Sequence, residues 1–236
     1  MGRITETVKI LLIINIIFFL GSQFVEVAYL YFSMWFPENE NFKIWQIFTH
    51  MFMHGGFMHI LFNMYGLYAF GSAMENIWGQ KRFLFFYFSA GLGAVGLQAL
   101  LSYYTYNSGI QDLLELGASQ AQIDELLELP LGYVREEWQN FWRSYNSPMV
   151  GASGAIYGIL VAFGIYYPNS ELMLIFLPFP IKAKYFIPIM IAGDLFFGIS
   201  GTSTGIAHWA HIGGAVIGFI IAVYWKKNSF NDKRWY

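Results

Sequence analysis

Long apolar runs separated by short polar breaks dominate the chain from residue 8 to residue 225. Six runs are long enough, or nearly so, to cross a bilayer: 8–32, 57–78, 82–104, 150–167, 185–203 and 206–225. About 20 consecutive apolar residues span the hydrocarbon core as a helix, because a helix satisfies its backbone hydrogen bonds internally. The pattern predicts an all-α polytopic membrane protein, a six-transmembrane-helix bundle forming one domain over residues 1–236.

Two intervals depart from that rhythm. Residues 33–56 are aromatic rather than polar, with Trp35, Phe36, Phe42, Trp45 and Phe48 around Pro37. They read as an outer loop lying partly at the membrane interface. Residues 105–148 form an extramembrane helical insert between spans 3 and 4, with seven acidic and two basic residues. Ser119 and Gln122 have the spacing of a capping box that opens a short helix. Trp138, Phe141, Trp142 and Tyr145 recur at i, i+3, i+4 and i+7, one aromatic face of a second helix. Such a face docks on the lipid surface or on the protein beneath it. At 177–180 two prolines impose an inner turn.

Composition strengthens the membrane reading. The chain is 56% hydrophobic and only 12% charged, against about 25% charged in soluble domains. The first run lacks the small-residue cleavage site of a signal peptide, so it is kept as a span. No cysteine is present, which excludes disulfides, thiol nucleophiles and thiolate metal sites.

Charge sets the orientation, since Lys and Arg accumulate in cytoplasmic loops. With six spans and both termini cytoplasmic, Arg3, Lys9, Lys81, Arg82, Lys182, Lys184, Lys226, Lys227, Lys233 and Arg234 fall inside. Only Lys43, Arg135 and Arg143 fall outside. Trp78 and Trp225 then sit at inner ends and Trp35 near an outer end, as interfacial anchors. The lack of a targeting segment points to a bacterial inner membrane.

Polar groups within spans are costly and usually mark function or pairing. His59 and Asn63, four apart, share a helix face near the outer end of span 2. Ser153 and Tyr157 do the same on span 4. His208 and His211 open span 6, and Asp194 lies on span 5. A serine, a histidine and hydrogen-bond donors at one depth are the inventory of acyl-transfer chemistry. Gly154 and Gly158 on span 4, with Gly214 and Gly218 on span 6, let helix backbones approach closely. They also clear space at Ser153 for a substrate backbone.

A metal site is not expected. His50, His54 and His59 could share one, but Gly55 and Gly56 interrupt any helix between His54 and His59, and the chain has no HExxH. His54 is instead expected to shape the loop end or to hydrogen-bond His59. No nucleic-acid partner is expected either.

"HGGFMHILFN" (54–63), "GASGAIYG" (151–158) and "AHWAHIGG" (207–214) resemble, in order and spacing, the motifs of the rhomboid intramembrane serine proteases. The resemblance covers about residues 40–225 apart from the insert. It implies a rhomboid-like bundle that cleaves the transmembrane helices of membrane-protein substrates within the lipid bilayer, with no cofactor. Ser153, in the GxSG position opened by Gly151, would be the nucleophile and His211 the general base. His59 and Asn63 would join the Ser153 amide in the oxyanion hole. Tyr157 would pack on the His211 ring, and Gly154 and Gly214 would serve the close helix contact.

Glu75 resembles a family carboxylate with a structural role. The resemblance also implies a Ser–His dyad without an acid. Asp194 on span 5 is the only candidate to complete a triad, and a gating or structural part is favoured for it. Substrate would enter past span 5. The first outer loop lacks a Trp-Arg pair found in many relatives. The alternative is a catalytically silent relative that binds or delivers membrane helices, but such relatives usually lack one of the four residues. A small transporter would normally show internal repeats, which the sequence lacks.

Overall fold

The structure, a computed structural model, describes residues 3–173, 179–202 and 204–228. These residues are mostly helical: α1 (Glu6–Phe24), α2 (Glu26–Phe32), α3 (Gln46–Thr49), α4 (Phe57–Gly66), α5 (Ser72–Glu115), α6 (Gln120–Glu128), α7 (Gln139–Asn146), α8 (Ser153–Tyr166), α9 (Ala183–Ser200) and α10 (His208–Asn228). By length and composition, α1, the α4–α5 run Phe57–Glu115, α9 and α10 can each cross a membrane, and α8 is a shorter apolar helix.

A widened turn at Leu67–Gly71 joins α4 to α5. The α4–α5 run bends sharply at Gly79, where φ is 75° and ψ is 168°, a conformation open essentially to glycine alone. The bend falls where the second and third apolar runs part.

The first and third runs end elsewhere than expected. Instead of continuing to residue 32, the first helix stops at Phe24, and extended backbone at Val25 separates it from α2. The 19 residues of α1 already measure about 28 Å, close to the thickness of the hydrocarbon core. The third run, expected to end at 104, stays helical to Glu115, so residues 105–115 extend it rather than begin a separate insert.

That extension carries the face on which the insert packs. Leu113, Ile123 and Phe141 form a small core with Tyr106, Ile110 and Trp138 around it. Phe141 stacks on Tyr106 with centroids 5.6 Å apart and planes 11° from parallel. It occupies the space that a side chain at Gly109 would fill. The aromatic face of α7 therefore covers protein. Ser119 and Gln122 form the full capping box that opens α6.

A two-residue ladder pairs Glu171 with Lys182 and Leu172 with Ile181, a small exception to the all-helical expectation. Of the inner turn at 177–180, Leu177 and Pro178 lie outside the described residues, as do Lys233 and Arg234.

At the centre, α10 packs against both α8 and α5. A Cβ on Gly214 would overlap the carbonyl of Gly154, one on Gly218 would overlap the backbone of Gly158, and one on Gly213 would overlap the carbonyl of Gly93. Backbone meets backbone on both sides. Toward the other end of the bundle, Trp78 and Trp225 meet at 5.1 Å, and Phe86 lies 4.7 Å from Trp78. Trp78 is buried, so it is a core residue rather than the lipid-facing anchor expected.

Glu75 fastens α1. Its carboxylate accepts the Thr7 and Val8 amides, both at 3.0 Å, and the Thr5 hydroxyl at 2.5 Å. The first amides of a helix have no partner within it, so a carboxylate from a distant helix does the work of a cap. Glu75→Gln puts an amide NH2 against one of these donors. The thermal midpoint in detergent is expected to fall, by the equivalent of about 1–3 kcal/mol, with helix content by circular dichroism unchanged below the transition.

Candidate active site

The approach to Ser153 is built from two distant segments. Met34 and Met149 exchange backbone hydrogen bonds at 2.9 and 2.8 Å, and the Gly151 amide donates to the His50 carbonyl at 2.9 Å. The 33–56 segment thus grips residues 149–151 and delivers Ser153 to the first position of α8.

Gln46 organises that loop. Its side-chain amide donates to the carbonyls of Leu30, Tyr31 and Asn41, and its carbonyl accepts the Trp35 and Lys43 amides. Sequence reasoning missed both Met34 and Gln46. Only a glutamine amid aromatics hinted at the second.

Starting a helix at Ser153 has a chemical consequence. The first backbone bond of α8 runs from the Ile156 amide to the Ala152 carbonyl at 3.0 Å. The amides of Ser153, Gly154 and Ala155 precede it and have no intrahelical acceptor. Together they make a positive helix terminus beside the serine oxygen.

From α10, His211 reaches across. Its Nε2 lies 2.9 Å from Ser153 Oγ, though the two residues are 58 positions apart. Tyr157, one turn along α8, stacks on the His211 ring at 4.1 Å and 13°.

The other ring nitrogen has a partner too. His211 Nδ1 is 3.1 Å from Asp194 Oδ1, and the same oxygen is 2.5 Å from His208 Nδ1. Asp194 is the only acid the sequence offers for a triad, with a gating or structural part favoured, and here it touches the histidine. The reason is hairpin geometry: Asp194 near the end of α9 and His211 near the start of α10 flank one short link, so they lie at one depth.

His59 and Asn63 face the same space. Gly151 has φ of +114°, and a Cβ there would lie 2.7 Å from His59 Nε2 and 3.7 Å from Ser153 Oγ. Glycine at 151 is therefore what admits the His59 ring beside the serine. The Gly55 amide points at His59 Nδ1 from 3.4 Å, which leaves the ring proton on Nε2, the atom beside Gly151. Asn63 Nδ2 donates to the His59 carbonyl at 2.8 Å.

His54 packs edge-on against His59, with centroids 5.0 Å apart and planes at 69°. No hydrogen bond joins the two rings, because neither His54 nitrogen has a partner among the described residues. His54 lies behind the His59 ring. Ser153, His59, Asn63, Tyr157, His211 and Gly151 line one cavity of about 920 Å³.

The described residues bring one potential metal-ligand set together, Asp194, His208 and His211. The 2.5 and 3.1 Å spacings within it are those of direct hydrogen bonds, so the three side chains satisfy one another.

Burial drives two loop histidines toward the neutral form. His50 falls from an ordinary 6.5 to about 4, chiefly by desolvation, although its Nδ1–H donates to the Gln46 carbonyl at 2.9 Å. His54 falls to about 4 by desolvation and then by the charge of His59. Between these values the unfolded chain binds more protons than the folded one, so stability is lost as pH falls from about 6.5 toward about 4. Thermal midpoints in detergent are expected to drop across that window. In His50→Gln, which keeps a donor for Gln46, the drop is expected to be shallower, and an unchanged slope would refute the assignment for His50.

Comparison with known proteins places this geometry in context. The profile of the Rhomboid domain matches residues 41–124 and 129–228. Over 189 residues the chain is 29% identical to "Rhomboid protease AarA" of Providencia stuartii, covering 76% of this chain and 55% of that protein. Over 191 residues it is 29% identical to "Presenilin-associated rhomboid-like protein, mitochondrial" of Homo sapiens and 28% identical to that of Bos taurus, covering 78% of this chain and 40% of each relative. The chain thus spans about half the length, or less, of these relatives.

Proposed function

The chain belongs to the rhomboid family, and from that premise we propose that it is an intramembrane serine endopeptidase acting on transmembrane helices of membrane proteins. One observation carries the reading: the 2.9 Å contact between Ser153 Oγ and His211 Nε2, with the free amides of a helix start on one side and the His59 and Asn63 donors on the other. The presence of nucleophile, base and donors around one cavity supports it.

In the proposed reaction, His211 Nε2 takes the Ser153 proton as Oγ attacks the scissile carbonyl carbon. The carbonyl oxygen gains negative charge and meets the Ser153 amide, His59 Nε2 and the Asn63 side-chain amide. Collapse breaks the peptide C–N bond, and His211 gives its proton to the leaving amine. Water then attacks the acyl-serine ester, His211 again accepting a proton, and Ser153 leaves as the alcohol. A substrate helix must unwind locally first, because its carbonyls are already hydrogen-bonded within the helix.

The proposed topology has six spans and both termini cytoplasmic, and the proposed location is the inner membrane of a bacterium. No cofactor or metal enters the proposed reaction.

Two measurements test the reading. Purified protein is expected to cleave a model single-span substrate and to be labelled at Ser153 by a fluorophosphonate. Ser153→Ala and His211→Ala are each expected to abolish turnover with the fold retained, and cleavage by Ser153→Ala would refute the nucleophile. Loss of one oxyanion donor, in His59→Ala or Asn63→Ala, is expected to lower kcat by about 10²–10³-fold. Full activity in both would exclude them from the hole.

A further inference from the structure

Catalysis as proposed uses one nitrogen of His211. Resting on that serine–histidine reading, we infer that Asp194 and His208 are positioning residues that hold His211 with its proton on Nδ1 and its lone pair on Nε2, aimed at Ser153.

The assignment follows from counting donors and acceptors. An ionised carboxylate only accepts hydrogen bonds. Asp194 Oδ1 has two imidazole Nδ1 atoms within reach, that of His208 at 2.5 Å and that of His211 at 3.1 Å, so both must be N–H donors. In a neutral imidazole the other nitrogen is then an acceptor. His211 Nε2 faces the Ser153 hydroxyl at 2.9 Å, and His208 Nε2 faces the Thr204 hydroxyl at 2.7 Å.

One proton arrangement therefore satisfies the whole chain Ser153–His211–Asp194–His208–Thr204. The opposite tautomers would turn two lone pairs toward a carboxylate. That is costly where Asp194 and His208 are only 7% and 8% exposed.

The surroundings lock the arrangement. Phe197 stacks on the His208 ring at 5.4 Å and 21°, and the Tyr157 hydroxyl also faces Asp194. When His211 accepts the serine proton, its Nδ1–H stays on Asp194. The carboxylate stabilises the imidazolium and takes no proton itself.

Asp194 also ties the base to a loosely held helix. Of the described residues of α9, only Ala183, Ile187 and Asp194 are buried. Just 17% of its apolar window is buried, against 50% for α10. In the half of α9 nearest the site, the buried carboxylate seats the helix on α10 together with Phe197 on His208 and Gly198 against Trp209. An outward shift of α9 by an ångström or two would leave His211 Nδ1 without its acceptor, since hydrogen bonds fail beyond about 3.5 Å. His211 is thus set as a base only while α9 is docked.

The test uses the full chain in detergent, with Asp194→Asn, Asp194→Glu and His208→Gln. Three quantities are read: the rate of fluorophosphonate labelling at Ser153, kcat and KM on a single-span substrate, and the 15N shifts of the His211 ring. Asp194→Asn is expected to slow labelling and lower kcat by about 10²-fold or more, with KM within about twofold. Asp194→Glu is expected to recover part of the loss, and His208→Gln to fall between it and wild type. Wild-type His211 is expected to carry its proton on Nδ1.

Labelling of Asp194→Asn at the wild-type rate would overturn the inference, as would a loss confined to KM, which a merely structural or gating part would give. A wild-type His211 protonated on Nε2 would overturn it even if the Asp194 variants failed to fold. An unlabelled Ser153 in wild type with His211 still protonated on Nδ1 would instead sink the protease reading and leave the tautomer assignment standing.

Discussion

Everything near the serine depends on three helix backbones touching. Gly154 and Gly158 on α8 meet Gly214 and Gly218 on α10, while Gly213 meets Gly93 on α5. In lipid no hydrophobic force drives one apolar helix onto another, so association rests on close van der Waals packing and interhelical hydrogen bonds. Side chains at these glycines would push the axes apart by ångströms, and a hydroxyl and an imidazole 2.9 Å apart have no such margin. Packing and chemistry are therefore one constraint: the residues that let α10 settle between α8 and α5 also set the reach of His211.

Much of this was legible in the chain. Apolar length alone marked most of the helices, and the three polar motifs named the residues that now surround one cavity. The capping box at Ser119 was readable because its logic is local. What escaped reading depends on distant partners. The end of α1 at Phe24 and the run of α5 to Glu115 are decided by packing that hydropathy does not register. Trp78 looked like a membrane anchor because a tryptophan near a span end has two uses, and only its neighbours Phe86 and Trp225 tell them apart.

Asp194 was visible as a candidate acid, but its contact with His211 was not. An acid in a span, separated from its histidine by 17 positions and a link, has no spacing signature comparable to a motif on one helix. The hairpin brings the two to one level, and a shared carboxylate oxygen gives His208 a purpose that its position beside His211 did not reveal. Of the two parts expected of His54, shaping the loop end or bonding His59, the bond is not made. Its proximity to His59 suggested a hydrogen bond, and the rings meet edge to face instead.

The outer loop and the insert share a stack of rings. Phe36 lies against Tyr106 and Tyr145, and the Asn39 side chain donates to the Tyr145 carbonyl. The loop in turn holds the strand-like residues just before Ser153. The mount of the serine is therefore bolted to α7 as well as to the glycine-packed helices. A load placed on α7 thus has a short, stiff route of packed aromatics and main chain to Ser153.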